Sequence, residues 1–278
     1  MVQAARKAAI DEVADKFERD GFLAPLPAIG AARAGEYRGR LEAFEAAHGK
    51  PLKPAYRQKA HLLLPWLADL VRDPAITDTV ARILGPDLLA WSSSFFIKEA
   101  HDPAFVSWHQ DSTYWGLSEP CVLTAWVAFT PSSHSNGCVR VIPGTHKLDQ
   151  VAHRQTSDAN NILTRGQEIA VDVDESKAVE IELAPGEMSL HHIRLFHNSE
   201  PNNSGGRRIG FAIRYIPTRI RQTVSDLDSA TLVRGTDKYG HFELEPRPAS
   251  DFAPEAVAYH AKVKRRQTEL LHRGAGMK

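Results

Sequence analysis

The chain has 278 residues, of which 42% are hydrophobic and 24% are charged, and its formal net charge at pH 7 is zero. This length and composition are typical of a folded globular protein with one large domain or two smaller ones. The neutral balance argues against binding to nucleic acid or to an anionic membrane through bulk charge.

The cysteines and the N-terminus bear on the compartment. Two cysteines, Cys121 and Cys138, are too few for a secreted scaffold held by disulfides, so a reducing compartment is expected. Both lie in apolar, strand-like sequence and are predicted to be small core residues. Residues 1–22 mix acids and bases without the apolar segment of a signal peptide, and no apolar run is long enough to span a bilayer. We therefore expect a cytoplasmic protein.

The first third of the chain is predicted to be helical. Apolar residues repeat at helical spacing over 10–17, and Gly21 follows them. A second helix is expected over Ala31 to Ala47. A third begins at Asp73-Pro74, with an N-cap residue before a proline in the first turn, and ends at Gly85-Pro86.

Beyond Asp87 the sequence changes to short segments that are rich in β-branched and aromatic residues and separated by turn residues. The predicted strands are Leu88 to Lys98, Cys121 to Thr130, Cys138 to Ile142, Val179 to Leu183, Glu187 to His192 and Arg208 to Ile216. Many short strands between turns favour a β-sandwich or barrel.

Two further segments complete the predicted organisation. Leu148 to Ser176 is polar and poorly periodic, and we interpret it as a long insertion near the functional site. The chain returns to helix around Pro254 to Leu271. No composition shift marks a linker, so a single domain is expected over 1–278, with a helical N-terminal part (1–86), a β core (87–220) and a helical tail (250–278).

The strongest metal-binding pattern is Trp108-His109-Gln110-Asp111. Alternate residues of an extended strand point to the same face, so His109 and Asp111 could offer an imidazole nitrogen and a carboxylate oxygen to one metal. A second histidine from a distant strand would complete the facial triad of non-haem Fe(II) oxygenases. Taken alone, this short pattern also fits a histidine and an aspartate on the surface.

A second polar segment begins at His197, after an apolar strand, and leads through a turn to Arg207-Arg208 at the start of another strand. Arginine offers a bidentate fork to a carboxylate, so a metal-bound histidine and an arginine on adjacent antiparallel strands could hold both ends of a small keto diacid. Strand alternation is expected to aim Arg207 outward, although the two arginines exchange roles if the register shifts by one. His191 and His192 alternate on one strand, so only one of them can face the interior. We expect a core or pocket-lining role for them and not metal binding.

Several ordered motifs resemble the phytanoyl-CoA dioxygenase family. They are His109-Gln110-Asp111, Thr124-Ala125-Trp126, Asn136-Gly137-Cys138, Pro143-Gly144-Thr145-His146 and the segment from His197 to Arg208. The resemblance covers roughly Asp87 to Pro217, with a weaker match at Asp20-Gly21-Phe22.

The resemblance implies a mainly β fold with flanking helices, a double-stranded β-helix (jelly-roll, cupin-like) barrel. It implies Fe(II) bound by His109, Asp111 and His197, with 2-oxoglutarate as cosubstrate and O2 as oxidant. The residues that motif position and strand face assign to 2-oxoglutarate are Arg208, Gln110, Thr124, Trp126 and Ser199.

The substrate pocket is less well specified. The candidate substrate residues are Tyr114, Trp115, Asn136, His192 and Arg214. Tyr114 and Trp115 follow the metal motif, either as a packed aromatic pair or as a wall of the pocket. An arginine that faced the interior would need an anionic partner, so one of three strand arginines could bind an anionic substrate group. These arginines are Arg140, Arg194 and Arg214.

The activity implied by the resemblance is hydroxylation of an unactivated C–H bond of a small molecule, with formation of succinate and CO2. The strand end Arg214 to Pro217 is similar to that of bacterial members that act on organophosphonates, which makes a small organophosphonate or another polar metabolite the expected substrate. Alternatives are halogenation or desaturation at the same site, a zinc hydrolase, or an inactive jelly-roll binding protein. Asp111 disfavours halogenation, because such enzymes lack the metal carboxylate.

Overall fold

The computed structural model of the chain describes residues 13–111, 115–155, 158–163 and 167–276. Residues 13–20 are helical, and five further helices follow: α1 (Gly30–His48), α2 (Pro54–Arg57), α3 (Pro65–Leu70), α4 (Pro74–Leu84) and α5 (Pro254–Gly276). The predicted helices are confirmed, except that part of the first lies outside the described residues. Asp73 accepts a hydrogen bond of 2.9 Å from the Ala75 amide, as expected of the N-cap of α4.

The strands are β1 (Phe22–Pro27), β2 (Leu88–Lys98), β3 (Val106–His109), β4 (Leu123–Ala128), β5 (Val139–Val141), β6 (His153–Gln155), β7 (Gln167–Ile169), β8 (Val179–Ile181), β9 (Glu187–His192), β10 (His197–Ser199), β11 (Arg208–Pro217), β12 (Ser229–Arg234) and β13 (Glu243–Leu244). All six predicted strands are present, as β2, β4, β5, β8, β9 and β11.

Two sheets face each other around the site. The major sheet has seven strands in the order β1-β9-β4-β11-β2-β12-β13, and the minor sheet has four in the order β3-β10-β5-β8. Between them lies an apolar cluster that includes Trp126 and Ala212 of the major sheet and Val139 and Val141 of the minor sheet. The expected jelly-roll fold is therefore confirmed, as two packed sheets rather than a closed barrel.

The helices cover the other face of the major sheet. Tyr37 and Leu41 of α1 belong to the same buried cluster as Phe211 and Ile213 of β11. Every residue of β11 is buried, because its alternate residues face the helices and the minor sheet in turn. Odd-numbered residues such as Phe211 meet the helices, so Arg208 and Arg214 point toward the minor sheet.

Three strands of the major sheet and the content of the insertion were not predicted. β1 lies in sequence that was expected to be helical, but it forms the sheet edge beside β9, where strand prolines such as Pro25 are tolerated. β12 and β13 extend the opposite edge. The segment 148–176 contains regular structure, because β6 pairs with β7. Ile169 of β7 packs on Trp108 and Phe196.

No helix within the described ranges combines the length and apolar character needed to cross a membrane. The cytoplasmic location and the single domain over 1–278 stay predictions.

Candidate active site

Three potential metal ligands converge between the two sheets. His109 ends β3, Asp111 follows it, and His197 begins β10 directly opposite His109. One ligand atom from each residue lies within 4.8 Å of the other two, and within the described part of the chain no other group of three or more such donors is found. The two imidazole rings lie 4.0 Å apart, and Asp111 Oδ1 is 3.4 Å from His109 Nε2.

The hydrogen bonds of both histidines fit metal binding. Nδ1 of His109 lies 2.9 Å from the Ser107 carbonyl oxygen, and Nδ1 of His197 lies 2.9 Å from that of Leu195. A carbonyl oxygen only accepts, so each Nδ1 carries the proton and each Nε2 presents a lone pair. Burial holds the pKa of His197 well below its usual value, which favours this neutral form. Two neutral imidazoles and a carboxylate fit a divalent iron.

Asp111 supplies the negative charge of the cluster. Burial alone would raise the pKa of this carboxyl, but its contact with His109 and the positive charge of Arg214 outweigh that effect, and the pKa stays below its usual range. Its backbone amide donates to the Ile193 carbonyl oxygen at 3.0 Å, which fixes the turn. The predicted strand geometry was wrong here, because β3 ends at His109 and Asp111 reaches the cluster from the turn that follows.

Arg208 lies at one end of the site, buried from solvent. Nη1 donates to the Ser199 hydroxyl at 3.1 Å and to the Gly137 carbonyl oxygen, and the guanidinium lies 5.5 Å from the Trp126 ring centre. Its Nε has no hydrogen-bond partner in the described structure. The expectation that Arg208 and His197 lie on adjacent strands was wrong, because β11 belongs to the major sheet and β10 to the minor sheet. The two residues face each other across the interior.

Lys98 adds a second buried cation that the sequence did not reveal. It pairs with Arg208 across β2 and β11, and Nζ donates to the Ser199 hydroxyl at 2.7 Å. Burial, together with the charge of Arg208, lowers the pKa of Lys98 to about 7. Burial likewise lowers the pKa of Arg208 to about 10. The sequence shows only a lysine at the end of an apolar strand. Its pairing with Arg208 depends on the register between β2 and β11, which the sequence does not reveal.

Two cavities that share lining residues lie beside the potential metal ligands. The inner cavity, of about 70 Å³, is lined by the three potential ligands and by the predicted residues Thr124, Trp126, Ser199, Arg208 and Arg214. The outer cavity, of about 490 Å³, shares His109, Asp111 and Arg214 with it and adds Trp115. His191, which was expected only as a possible pocket-lining residue, also lines the inner cavity, with its ring 4.9 Å from that of His197.

Three other predicted site residues have different surroundings. Gln110 donates to the Arg194 carbonyl oxygen at 3.0 Å and accepts from the Val151 amide at 3.0 Å, so it fixes the start of the insertion instead of facing the cavities. Asn136 accepts from the Ser133 amide at 2.9 Å and closes a tight turn.

His192 is the third. Its ring packs against His146 and Phe17, because the neighbouring residue His191 takes the interior face of β9. These placements correct the roles predicted for Gln110, Asn136 and His192. Tyr114 lies outside the described residues.

The remaining arginines are paired outside the cavities. Arg207 forms ion pairs with Glu45 and Glu99, as strand alternation predicted. Arg140 pairs with Glu175 and Glu200, and Arg194 with Asp149. Of the three arginines proposed for a substrate anion, Arg214 is the one that lines both cavities.

Comparisons with known proteins point to one enzyme family. Residues 17–210 match the family model described as phytanoyl-CoA dioxygenase (PhyH). Over 210 residues the chain is 31% identical to a probable alpha-ketoglutarate-dependent hypophosphite dioxygenase of Stutzerimonas stutzeri, covering 74% of this chain and 70% of the relative.

Two solved structures are similar over most of the chain. The apo form of the non-heme monooxygenase ThoJ superposes with a TM-score of 0.85 and 36% identity, covering 96% of this chain and 100% of the other. CytC3 with Fe(II) and alpha-ketoglutarate superposes with a TM-score of 0.64 and 26% identity, covering 87% and 95%.

Proposed function

The chain belongs to the phytanoyl-CoA dioxygenase family and is an Fe(II)- and 2-oxoglutarate-dependent dioxygenase, and we propose that it hydroxylates an unactivated C–H bond of a small polar metabolite. The observation that carries the proposal is the set of His109, Asp111 and His197 beside a buried arginine. Asp111 would supply a carboxylate ligand to the iron, which favours hydroxylation over halogenation. A small organophosphonate is the substrate class proposed first, supported by the relative named for hypophosphite.

His109, Asp111 and His197 would hold the iron through two Nε2 atoms and one carboxylate oxygen. When bound, the iron couples oxidative decarboxylation of 2-oxoglutarate, to succinate and CO2, to oxidation of the substrate. The carbonyl oxygens of Ser107 and Leu195 orient the two imidazoles and keep the proton on Nδ1.

Arg208, Lys98 and Ser199 would receive the far carboxylate of 2-oxoglutarate. The two cations lie on neighbouring strands and share the Ser199 hydroxyl, so both reach one small volume. A carboxylate there would remove the cost of burying two like charges without a counter-ion. The Trp126 ring lies over Gly210, where a Cβ atom would meet it at 1.9 Å, so a larger residue would displace this wall of the pocket.

The outer cavity would receive the substrate. Its volume of about 490 Å³ lies in the range of pockets for small molecules, and Trp115 and Phe96 give it an aromatic wall. Because His109 and Asp111 line it, a substrate bound there reaches the metal ligands.

The experiment is to incubate the Fe(II)-loaded protein with 2-oxoglutarate, ¹⁸O2 and a metabolite panel that includes aminophosphonates, in buffer containing chloride. We expect succinate formation that depends on one compound of the panel, and a product that gains one ¹⁸O atom. A chlorinated or desaturated main product would contradict hydroxylation. The absence of succinate formation with every compound of the panel would favour the inactive binding protein, and turnover of a compound without oxygen would favour a zinc hydrolase.

A further inference from the structure

Three polar side chains form a row across the major sheet, beside the metal ligands. His191 of β9 pairs with Thr124 of β4, which pairs in turn with Arg214 of β11. All three residues are buried and line the inner cavity. Each carries a buried polar atom that has no hydrogen-bond partner among the described residues, namely His191 Nδ1, Thr124 Oγ1 and Arg214 Nε. Unpaired buried polar atoms are costly, and three in adjacent residues indicate a missing ligand.

The charge of Arg214 makes this ligand an anion. The hydrogen bond that Arg214 makes within the described structure joins Nη1 to the Ser94 hydroxyl at 3.2 Å. The guanidinium lies 5.5 Å from the Trp115 ring centre and 5.8 Å from that of Phe96. Burial lowers the pKa of Arg214, and the nearby acid that opposes this effect is Asp111, which the metal would claim. Arg214, which lines the cavity, therefore carries a buried charged donor, Nε, that no described group accepts from.

The anion position at Arg214 differs from that at Arg208. The two arginines are six positions apart on β11 and share one face, with Gly210 and Ala212 between them. At about 3.3 Å per residue, their Cα atoms are roughly 20 Å apart. Arg214 lies close enough to Asp111 for the two charges to interact, whereas Arg208 donates to Ser199 and Gly137. Both line the inner cavity with the metal ligands, so the cavity has an anion position toward each end.

We propose that Arg214, with Thr124 and His191, binds an oxyanion group of the substrate, a carboxylate or a phosphonate. Arg214 supplies the charge and a donor at Nε, Thr124 supplies its hydroxyl, and His191 supplies the third polar atom. The apolar part of the substrate packs on Trp115 and Phe96. The inference rests on the proposed function, and it names the substrate class as small oxyacids.

Binding of three matched probes tests this assignment without turnover. Ethylphosphonate, propanoate and the neutral propanamide are titrated by calorimetry into protein loaded with Fe(II) and 2-oxoglutarate in the absence of oxygen. We expect one or both anions to bind the native protein about tenfold more tightly than propanamide. The stronger of the two anions identifies the oxyacid.

Variants test whether the row of three polar side chains causes the preference for an anion over propanamide. Arg214→Gln should abolish it, while Arg219→Gln, which alters an exposed arginine paired with Glu119, should retain it. Thr124→Val, which keeps the charge and nearly the shape, should weaken the anion about fivefold and provides a second test if Arg214→Gln does not fold.

Two results would overturn the assignment: no anion preference in the native protein, or a preference that survives in both Arg214→Gln and Thr124→Val. A failure of the proposed function looks different. The anion preference would then depend on Arg214, but no oxyacid would stimulate succinate formation.

Discussion

Two buried charged clusters lie on opposite faces of the major sheet, and they differ in how their charges are paired. On the helical side, Glu245 accepts from Lys59 at 2.5 Å and lies 3.0 Å from His61 Nε2. The hydroxyl groups of Ser229 and Thr231 donate hydrogen bonds to the Glu245 carboxylate at 2.8 and 2.7 Å. On the cavity side, Arg208 and Arg214 each have an Nε atom that no group in the described part of the chain pairs with.

The difference in pairing distinguishes a cluster that stabilises the fold from one that binds a ligand. Lys59 and His61 offset the effect of burial on Glu245 and hold the pKa of its carboxyl below the usual range, so this cluster is complete within the chain. The cavity-side cluster is incomplete without anions, which is what a ligand site requires. Burial of charge therefore does not by itself mark a site, whereas unpaired donors beside a cavity do.

The largest expected effect is on the metal. His197→Ala should abolish iron binding, because it removes one of three ligands, whereas His191→Ala and His192→Ala should retain iron. The measurement is the iron content of purified, reconstituted protein. Loss of iron in His191→Ala with retention in His197→Ala would contradict the ligand assignment.

The helical-side cluster should respond in stability. Glu245→Gln leaves Lys59 buried without a counter-charge, and we expect a loss of about 3–5 kcal/mol in the free energy of unfolding. Glu119→Gln, at an exposed pair with Arg219, should change that free energy by less than about 0.5 kcal/mol. Urea denaturation measures both. A near-native midpoint for Glu245→Gln would show that the cluster does not stabilise the fold.

The Arg208 end should respond in cosubstrate affinity. Arg208→Gln removes a buried charged donor, and the Kd for 2-oxoglutarate should rise about 100-fold. Arg207→Gln is the matched control, because the neighbouring arginine points outward to Glu45. Calorimetry on Fe(II)-loaded protein measures both constants. Equal losses in the two variants would contradict the predicted direction of the side chains.

The smallest expected effect is the uptake of a proton when 2-oxoglutarate binds. The pKa of Lys98 is lowered to about 7, so at pH 8 most of this amine is neutral in the protein without 2-oxoglutarate. A bound carboxylate favours the charged amine and raises its pKa, so 2-oxoglutarate binding at pH 8 should take up a proton. The binding enthalpy should then differ between phosphate and Tris buffers, and this difference should vanish in Lys98→Met. A buffer-independent enthalpy in the native protein would place Lys98 away from the cosubstrate.

Much of the fold could be predicted because its signals are local. Turn residues delimit the strands, and alternation along β11 correctly separates Arg208 from Arg207. The proposed metal ligands and Arg208 came from short motifs. β1 was missed because the chain must fold back beside β9 before its proline-containing sequence forms an edge strand.

The rest of the site depends on contacts between distant residues. Lys98 meets Arg208 through strand register, which no local pattern contains. Gln110 was assigned to the cosubstrate pocket from its position in the family motif, but its side chain points to the insertion. His191 replaced His192 at the cavity because strand phase, and not sequence position, decides which one faces inward.

The most direct test of the comparison is to measure two ligands on two variants. Binding of 2-oxoglutarate and of the stronger anionic probe is measured on Fe(II)-loaded Arg208→Gln and Arg214→Gln without oxygen. The account predicts that Arg208→Gln loses mainly 2-oxoglutarate and Arg214→Gln loses mainly the probe. Equal weakening of both ligands in both variants would contradict two separate anion positions on the cavity side of the sheet.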